Sequence, residues 1–168
     1  MGIRPDALVV WENEEVRRKL AHYYSVMRDE KVAKYRVVKR VPLELERDAS
    51  LDEMWKAHDE KVKEASETYE RVAGNPDAVA KMPVPQYSLL DLKVDIARKL
   101  VESCKLCEWR CGVNRVKGEK GVCGLTSEVR VASAFLHMGE EAPLVPSGTI
   151  FFTGCSFRCV FCQNWDIS

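Results

Sequence analysis

Apolar side chains return every three or four positions through the first hundred residues, which is the spacing of helices. Between residues 12 and 30, Val16, Leu20, Tyr23 and Met27 recur at that interval with Glu and Arg between them, predicting one helix. Lys31 to Arg40 sets five basic residues among valines and reads either as an extension of that helix or as a strand. Its charge fits a solvated face, or a contact with an anion or a partner. A second helix is expected over 51–72. Ser50 and Glu53 are spaced as a capping box, and Leu51, Met54, Trp55, His58, Val62, Ala65, Tyr69 and Val72 share one face. Gly74-Asn-Pro76 stops it, and residues 74–87, with Pro76, Pro83 and Pro85, read as a linker. A third helix starts after Ser88 and turns Leu89, Leu92, Ile96 and Leu100 inward.

The pattern then changes. Residues 104–124 are rich in glycine and cysteine and read as loop. Val129, Val131 and Ser133 to Phe135 suggest a strand or two, and 139–148 reads as loop. Thr149-Ile-Phe-Phe-Thr153 is a short apolar run suited to a strand buried on both faces. The expected fold class is α/β, in three parts: a helical region with linker over 1–87, a helix plus four-cysteine motif over 88–126, and a third part over 127–168.

A chain of 168 residues has room for a core, and its 46% hydrophobic content is in the globular range. The 26 basic and 26 acidic side chains cancel, which speaks against a nucleic-acid binder. No apolar run reaches the ~20 residues of a membrane helix. Ala7-Leu-Val-Val-Trp11 is too short for a secretory signal, and Asp6 breaks the myristoylation pattern that Gly2 would begin. A soluble, cytoplasmic protein is expected, without membrane or nucleic-acid partners.

All seven cysteines stand at or after position 104. An odd number without an export signal argues for metal binding or reactivity over a disulfide framework. Cys104-x2-Cys107-x3-Cys111-x11-Cys123 offers four thiolates, enough to close a zinc site or saturate an auxiliary iron–sulfur cluster. Its spacing matches neither common ferredoxin run, so both metals stay open. Cys155-x3-Cys159-x2-Cys162 offers three. Three thiolates on one loop suit three irons of a [4Fe–4S] cubane with the fourth iron free to bind a substrate, or a zinc knuckle completed from elsewhere. His22 and His58 lie on helical stripes and read as packed or surface residues. His137, near the second group, reads as a structural histidine or a contact to cofactor or substrate.

The C-x3-C-x2-C motif after a strand, with Phe161 before its last cysteine, resembles the radical S-adenosylmethionine superfamily. His137-Met-Gly-Glu-Glu-Ala-Pro-Leu144, Ser147-Gly-Thr-Ile-Phe-Phe-Thr-Gly154, Cys162-Gln-Asn-Trp-Asp-Ile-Ser168, Cys104-Lys-Leu-Cys107 and Cys111-Gly-Val-Asn-Arg115 are similar to its PflX-like branch, related to pyruvate formate-lyase activating enzyme. The resemblance covers residues 104–168. It implies a cluster on Cys155, Cys159 and Cys162, with S-adenosylmethionine on the open iron and Phe161 near its adenine. One electron would then cleave the sulfonium to methionine and a 5′-deoxyadenosyl radical. It further implies loop backbone groups donating to the sulfurs and a reductant protein such as a ferredoxin or flavodoxin. An activase-like member would also have a protein substrate.

The family builds a six-repeat partial (β/α) barrel, of which 127–168 would hold the first strand and cluster loop. This chain is therefore expected to be the N-terminal portion of such an enzyme, truncated and inactive alone, its strand 149–153 unpaired and prone to aggregate. Catalytic residues stay unassigned. Phe157 is expected to pack under the loop and Arg158 to face solvent. The alternative is a non-catalytic interaction module holding zinc or iron–sulfur metals.

Overall fold

A computed structural model of the chain describes residues 4–46 and 49–168. The described residues form seven α-helices and one two-stranded sheet, a mixed α/β arrangement dominated by helix. Contacts divide them into two units. One comprises Leu20–Lys99; the other joins the described residues up to Lys19 with Leu100–Ser168. These limits do not coincide with the boundaries expected near 87 and 126.

The 20–99 unit is helical. It contains α3 (Ala21–Met27), α4 (Lys34–Val38), α5 (Leu51–Val72), α6 (Pro76–Lys81) and most of α7 (Leu89–Glu102). The Ser50–Glu53 box forms as expected. The Ser50 hydroxyl accepts from the Glu53 N–H, and the Glu53 carboxylate accepts from the Ser50 N–H at 2.8 Å. A second box opens α7. Ser88 Oγ accepts from the Asp91 N–H at 3.3 Å, and Asp91 Oδ2 accepts from the Ser88 N–H at 2.9 Å. The Ser88 reciprocity satisfies two otherwise orphaned helix-end donors.

Val32, Val37, Tyr69, Ala73 and Val79 form a buried cluster. Tyr69 Oη donates to the Val32 carbonyl at 2.8 Å, and the Val32 N–H donates to Ala73 O at 3.0 Å, so a buried phenol and a buried amide both find partners. Leu89 and Leu92 are wholly buried, each stabilising the unit by about 1.5–3 kcal/mol. The Val41–Leu43 segment runs beside Tyr87–Leu89, its Leu43 N–H donating to Tyr87 O and its Val41 carbonyl accepting from Leu89 N–H.

Three expectations change here. The helix expected over 12–30 is broken: α2 (Glu14–Lys19) starts where Asn13 Oδ1 accepts from the N–H groups of Glu15 and Val16, and α3 begins after Leu20, whose backbone leaves helical geometry. Neither α2 nor α3 buries a residue, so no packing enforces one continuous rod. Within Lys31–Arg40 only Lys34–Val38 is helical, as the separate α4, and over the stretch Val32 and Val37 are buried while Lys31, Lys34 and Lys39 are exposed. The 74–87 linker contains α6, with Pro76 at its start and Asn75 Oδ1 accepting from Ala78 N–H at 3.0 Å. Proline at a first helical position costs no hydrogen bond, so the residue read as a stop opens a helix.

The other unit contains α1 (Pro5–Val9), α2, the four-cysteine segment, β1 (Val131–His137), β2 (Ser147–Phe152) and the three-cysteine loop. The Arg4 guanidinium donates to Met138 O at 3.0 Å and Glu140 O at 2.8 Å, tying α1 to the turn between the strands. The strands pair antiparallel, with Ala134 opposite Ile150 and His137 opposite Ser147. So β2 has a partner, and it is not buried on both faces: Ile150 is 56% and Phe152 52% exposed. Along β2 the exposed Ile150 and Phe152 alternate with half-buried Thr149 and Phe151, so one face of the strand leaves apolar side chains in solvent. Phe135 and Phe151 stack with ring centres 5.7 Å apart.

Candidate functional site

The four-cysteine segment folds around Arg115. Cys104 closes the segment's base: its N–H donates to Val113 O and its carbonyl accepts from the Gly112 N–H at 2.9 Å. Asn114 then caps a 3-10 turn over Arg115–Lys117. Arg115 is buried, and its guanidinium donates to the Leu125 carbonyl and, at 3.3 Å, to Cys123 Sγ. Cys104 is its other thiol partner. Gly121 makes room for this. A Cβ there would collide with the guanidinium and stand 3.0 Å from Cys111 Sγ.

The charge has a consequence for the thiols. Burial pushes Cys104 up, but the Arg115 hydrogen bond and the Leu106 N–H outweigh it, and the thiol ends below its ordinary value. Cys123 behaves alike: burial raises it, while the Leu125 N–H and Arg115 bring it lower. Cys104, Cys107 and Cys123 line a largely apolar cleft of about 470 Å³ with Arg115 among its walls.

The three-cysteine loop leaves β2 through Gly154, which has φ +82° and whose N–H donates to Ile167 O at 2.6 Å. A side chain at Gly154 would meet Leu125. Cys155 Sγ accepts from the Phe157 N–H at 3.4 Å, the kind of backbone-to-sulfur bond the resemblance implied. Cys155, Cys159 and Cys162 line one cleft of about 240 Å³, together with Phe157 and Trp165. Cys159 is the exposed member.

Among the described residues, no three His, Cys, Asp or Glu side chains are gathered closely enough to hold a metal ion. The donor chemistry of both groups suits soft metals: Cys104, Cys107 and Cys123 line one cleft, with Cys111 outside its lining, and Cys155, Cys159 and Cys162 line another.

Phe157 departs from expectation: it is 72% exposed and does not pack under the loop. Arg158 is exposed, as expected, and its guanidinium also binds backbone: Nη1 donates to the carbonyls of Cys155 and Phe157, both at 2.8 Å, and Nη2 donates to Val122 O at 2.7 Å. Its fork matches several carbonyls at once, which a point charge could not do. Phe161 is 83% exposed.

No histidine is among the lining residues of either cleft. His22 is exposed with its ring 5.9 Å from that of Tyr69. His58 Nε2 lies 2.6 Å from Lys93 Nζ; an ammonium can only donate, so Nε2 accepts and Nδ1–H faces Asp59 at 3.0 Å. His137 Nδ1 is buried, 3.1 Å from Glu140 Oε1 but out of line for a hydrogen bond. Two residues that sequence reasoning did not select join the picture: Arg115, and Trp109, whose indole N–H donates to Ser156 O at 2.6 Å. An arginine and a tryptophan among cysteines carry no spacing signal that would mark them.

No protein-family model matches the chain, and no solved structure does. An uncharacterized protein of Methanocaldococcus jannaschii is 42% identical over 150 residues, 89% of this chain. The chain spans 42% of that relative's length. No helix among the described residues is long and apolar enough to cross a membrane.

Proposed function

We propose that this chain is the N-terminal portion of a radical S-adenosylmethionine enzyme of the branch related to pyruvate formate-lyase activating enzyme. The observation that supports this best is that Cys155, Cys159 and Cys162 all line one cleft in the loop that follows β2. Those three thiols would hold a [4Fe–4S] cluster, and a cluster bound there supplies both an iron open to S-adenosylmethionine and the electron that cleaves its sulfonium. The Phe157 N–H donates to Cys155 Sγ, so one sulfur of the loop already has a backbone donor. Exposed Phe161 offers a ring against which an adenine could stack. In this reading β2 is the first strand of a partial barrel, and the reductant is a ferredoxin or flavodoxin type of protein. An activase-like reaction would act on a protein substrate. The reading places catalysis in the whole enzyme and leaves this chain alone without turnover.

Cys104, Cys107, Cys111 and Cys123 would hold zinc or an auxiliary cluster, which ties residues 104–124 into a fold. Anaerobic loading with iron and sulfide tests the reading. The chain should take up iron with broad absorbance near ~400 nm. Serine at Cys155, Cys159 or Cys162 should abolish the fraction assigned to that loop. Zinc alone in both groups would instead identify a non-catalytic metal-binding module.

A further inference from the structure

The two cysteine groups are joined by side chains that neither group's spacing requires. Trp109 stands between Cys107 and Cys111 and donates to the Ser156 carbonyl, one residue after Cys155. Arg158 stands between Cys155 and Cys159 and reaches back to the carbonyl of Val122, one residue before Cys123. Each segment thus sends one long donor into the backbone of the other. The remaining Arg158 donors hold the Cys155 and Phe157 carbonyls and fix the turn that carries the first thiol. Leu125 completes the joint on the apolar side by filling the space a side chain at Gly154 would take. The same Leu125 offers its carbonyl to Arg115, so the buried guanidinium that organises the four-cysteine segment lies one residue from the joint.

We propose that Trp109 and Arg158 are positioning residues that make the four-cysteine segment the scaffold of the three-cysteine loop. The loop itself has little else to hold it: Phe157, Val160 and Phe161 are all mainly in solvent. A segment with few buried contacts opens locally at low cost, and hydrogen bonds to an adjacent ordered segment are what raise that cost. Order in the first segment, whether from Arg115 or from a metal, therefore sets how well the three thiols are held at one cleft. In its bearing on iron binding this inference rests on the function proposed above; in its geometry it does not.

Amide hydrogen exchange on the metal-free, reduced chain tests it. The bonded N–H groups of Thr153, Gly154 and Cys162 report on the loop. Trp109→Phe, which removes the donor and keeps a smaller aromatic ring, and Arg158→Gln should each speed exchange over 153–162 by about five-fold or more. Exchange at the Cys104 and Gly112 amides should stay unchanged. Arg158→Lys, which keeps one donor, should fall between. Arg115→Met should speed exchange over both 111–125 and 153–162. Unchanged exchange over 153–162 in Trp109→Phe and Arg158→Gln would overturn the proposal. So would an Arg115→Met protein that loosens only its own segment. Iron loading of the same variants forms a separate arm. If the unaltered chain takes up no iron at the loop, the enzymatic reading fails, while the exchange result still decides the scaffold.

Discussion

The Tyr87 hydroxyl donates to Asp95 Oδ2 at 2.9 Å, which ties the second turn of α7 to the segment leading into it. Burial, then that hydrogen bond, then the negative charges of Asp95 and Asp91 push the phenol up to about 12. An unfolded tyrosine titrates near ~10. The folded value is the higher one, so the linked stability is complete below pH ~10 and is lost as pH rises towards 12. Tyr87→Phe should lower the unfolding free energy at pH 8 by about 1 kcal/mol. The gap between variant and parent should close towards pH 12, as measured by urea titrations across that range.

Ser88→Ala should cost about 1 kcal/mol at pH 7, because the Asp91 N–H loses the buried cap hydroxyl that accepts from it. Ser88 also holds the Asp91 carboxyl below its ordinary value, by its side chain first and its backbone N–H second. A depressed acid stabilises above its unfolded pKa and loses that contribution as pH falls through the folded one. Below about pH 4 the parent should therefore approach the variant, read from thermal melts at pH 7 and pH 3.

Gly121→Ala should destabilise the cysteine-bearing unit by about 1–3 kcal/mol. The new methyl would meet the Arg115 guanidinium, which is held by Leu125 and Cys123 and has little freedom to yield. Differential scanning calorimetry, with Gly148→Ala as a control at a position in the same unit where a Cβ meets nothing within 4 Å and φ is not left-handed, isolates the collision.

Leu92→Ala should cost about 2–5 kcal/mol, since the side chain is wholly enclosed and the helix around it is well capped. Loss of α-helical circular dichroism at lower urea is the measurement. An unaltered midpoint would mean that α7 does not pack as described.

The elements most legible in the sequence are those whose causes are local. Ser50 and Ser88 announce α5 and α7 because a cap and its reciprocal acid lie three residues apart. Helix α6 escaped notice because Pro76 was read as an ending, and only the Asn75 side-chain bond reveals it as a beginning. The exposure of β2 was illegible for a different reason. Its apolar run describes the strand, whereas burial depends on what is packed over it. The cysteine spacing brought out the two groups, but the roles of Arg115 and Arg158 depend on carbonyls ten and 36 residues away. A long flexible cation can choose among many such acceptors, and no pattern in the chain names the one it finds.

Arg4 takes its acceptors from Met138 and Glu140, and this has a consequence for biosynthesis. A ribosome releases Arg4 long before those carbonyls exist, whereas residues 20–99 have every partner named for their own core once Lys99 has emerged. The helical unit is free to collapse early, and the half that bears the thiols closes after it. An affinity tag at the amino end would therefore burden the slow-closing half, so a fusion partner is better carried at an exposed turn within the early one.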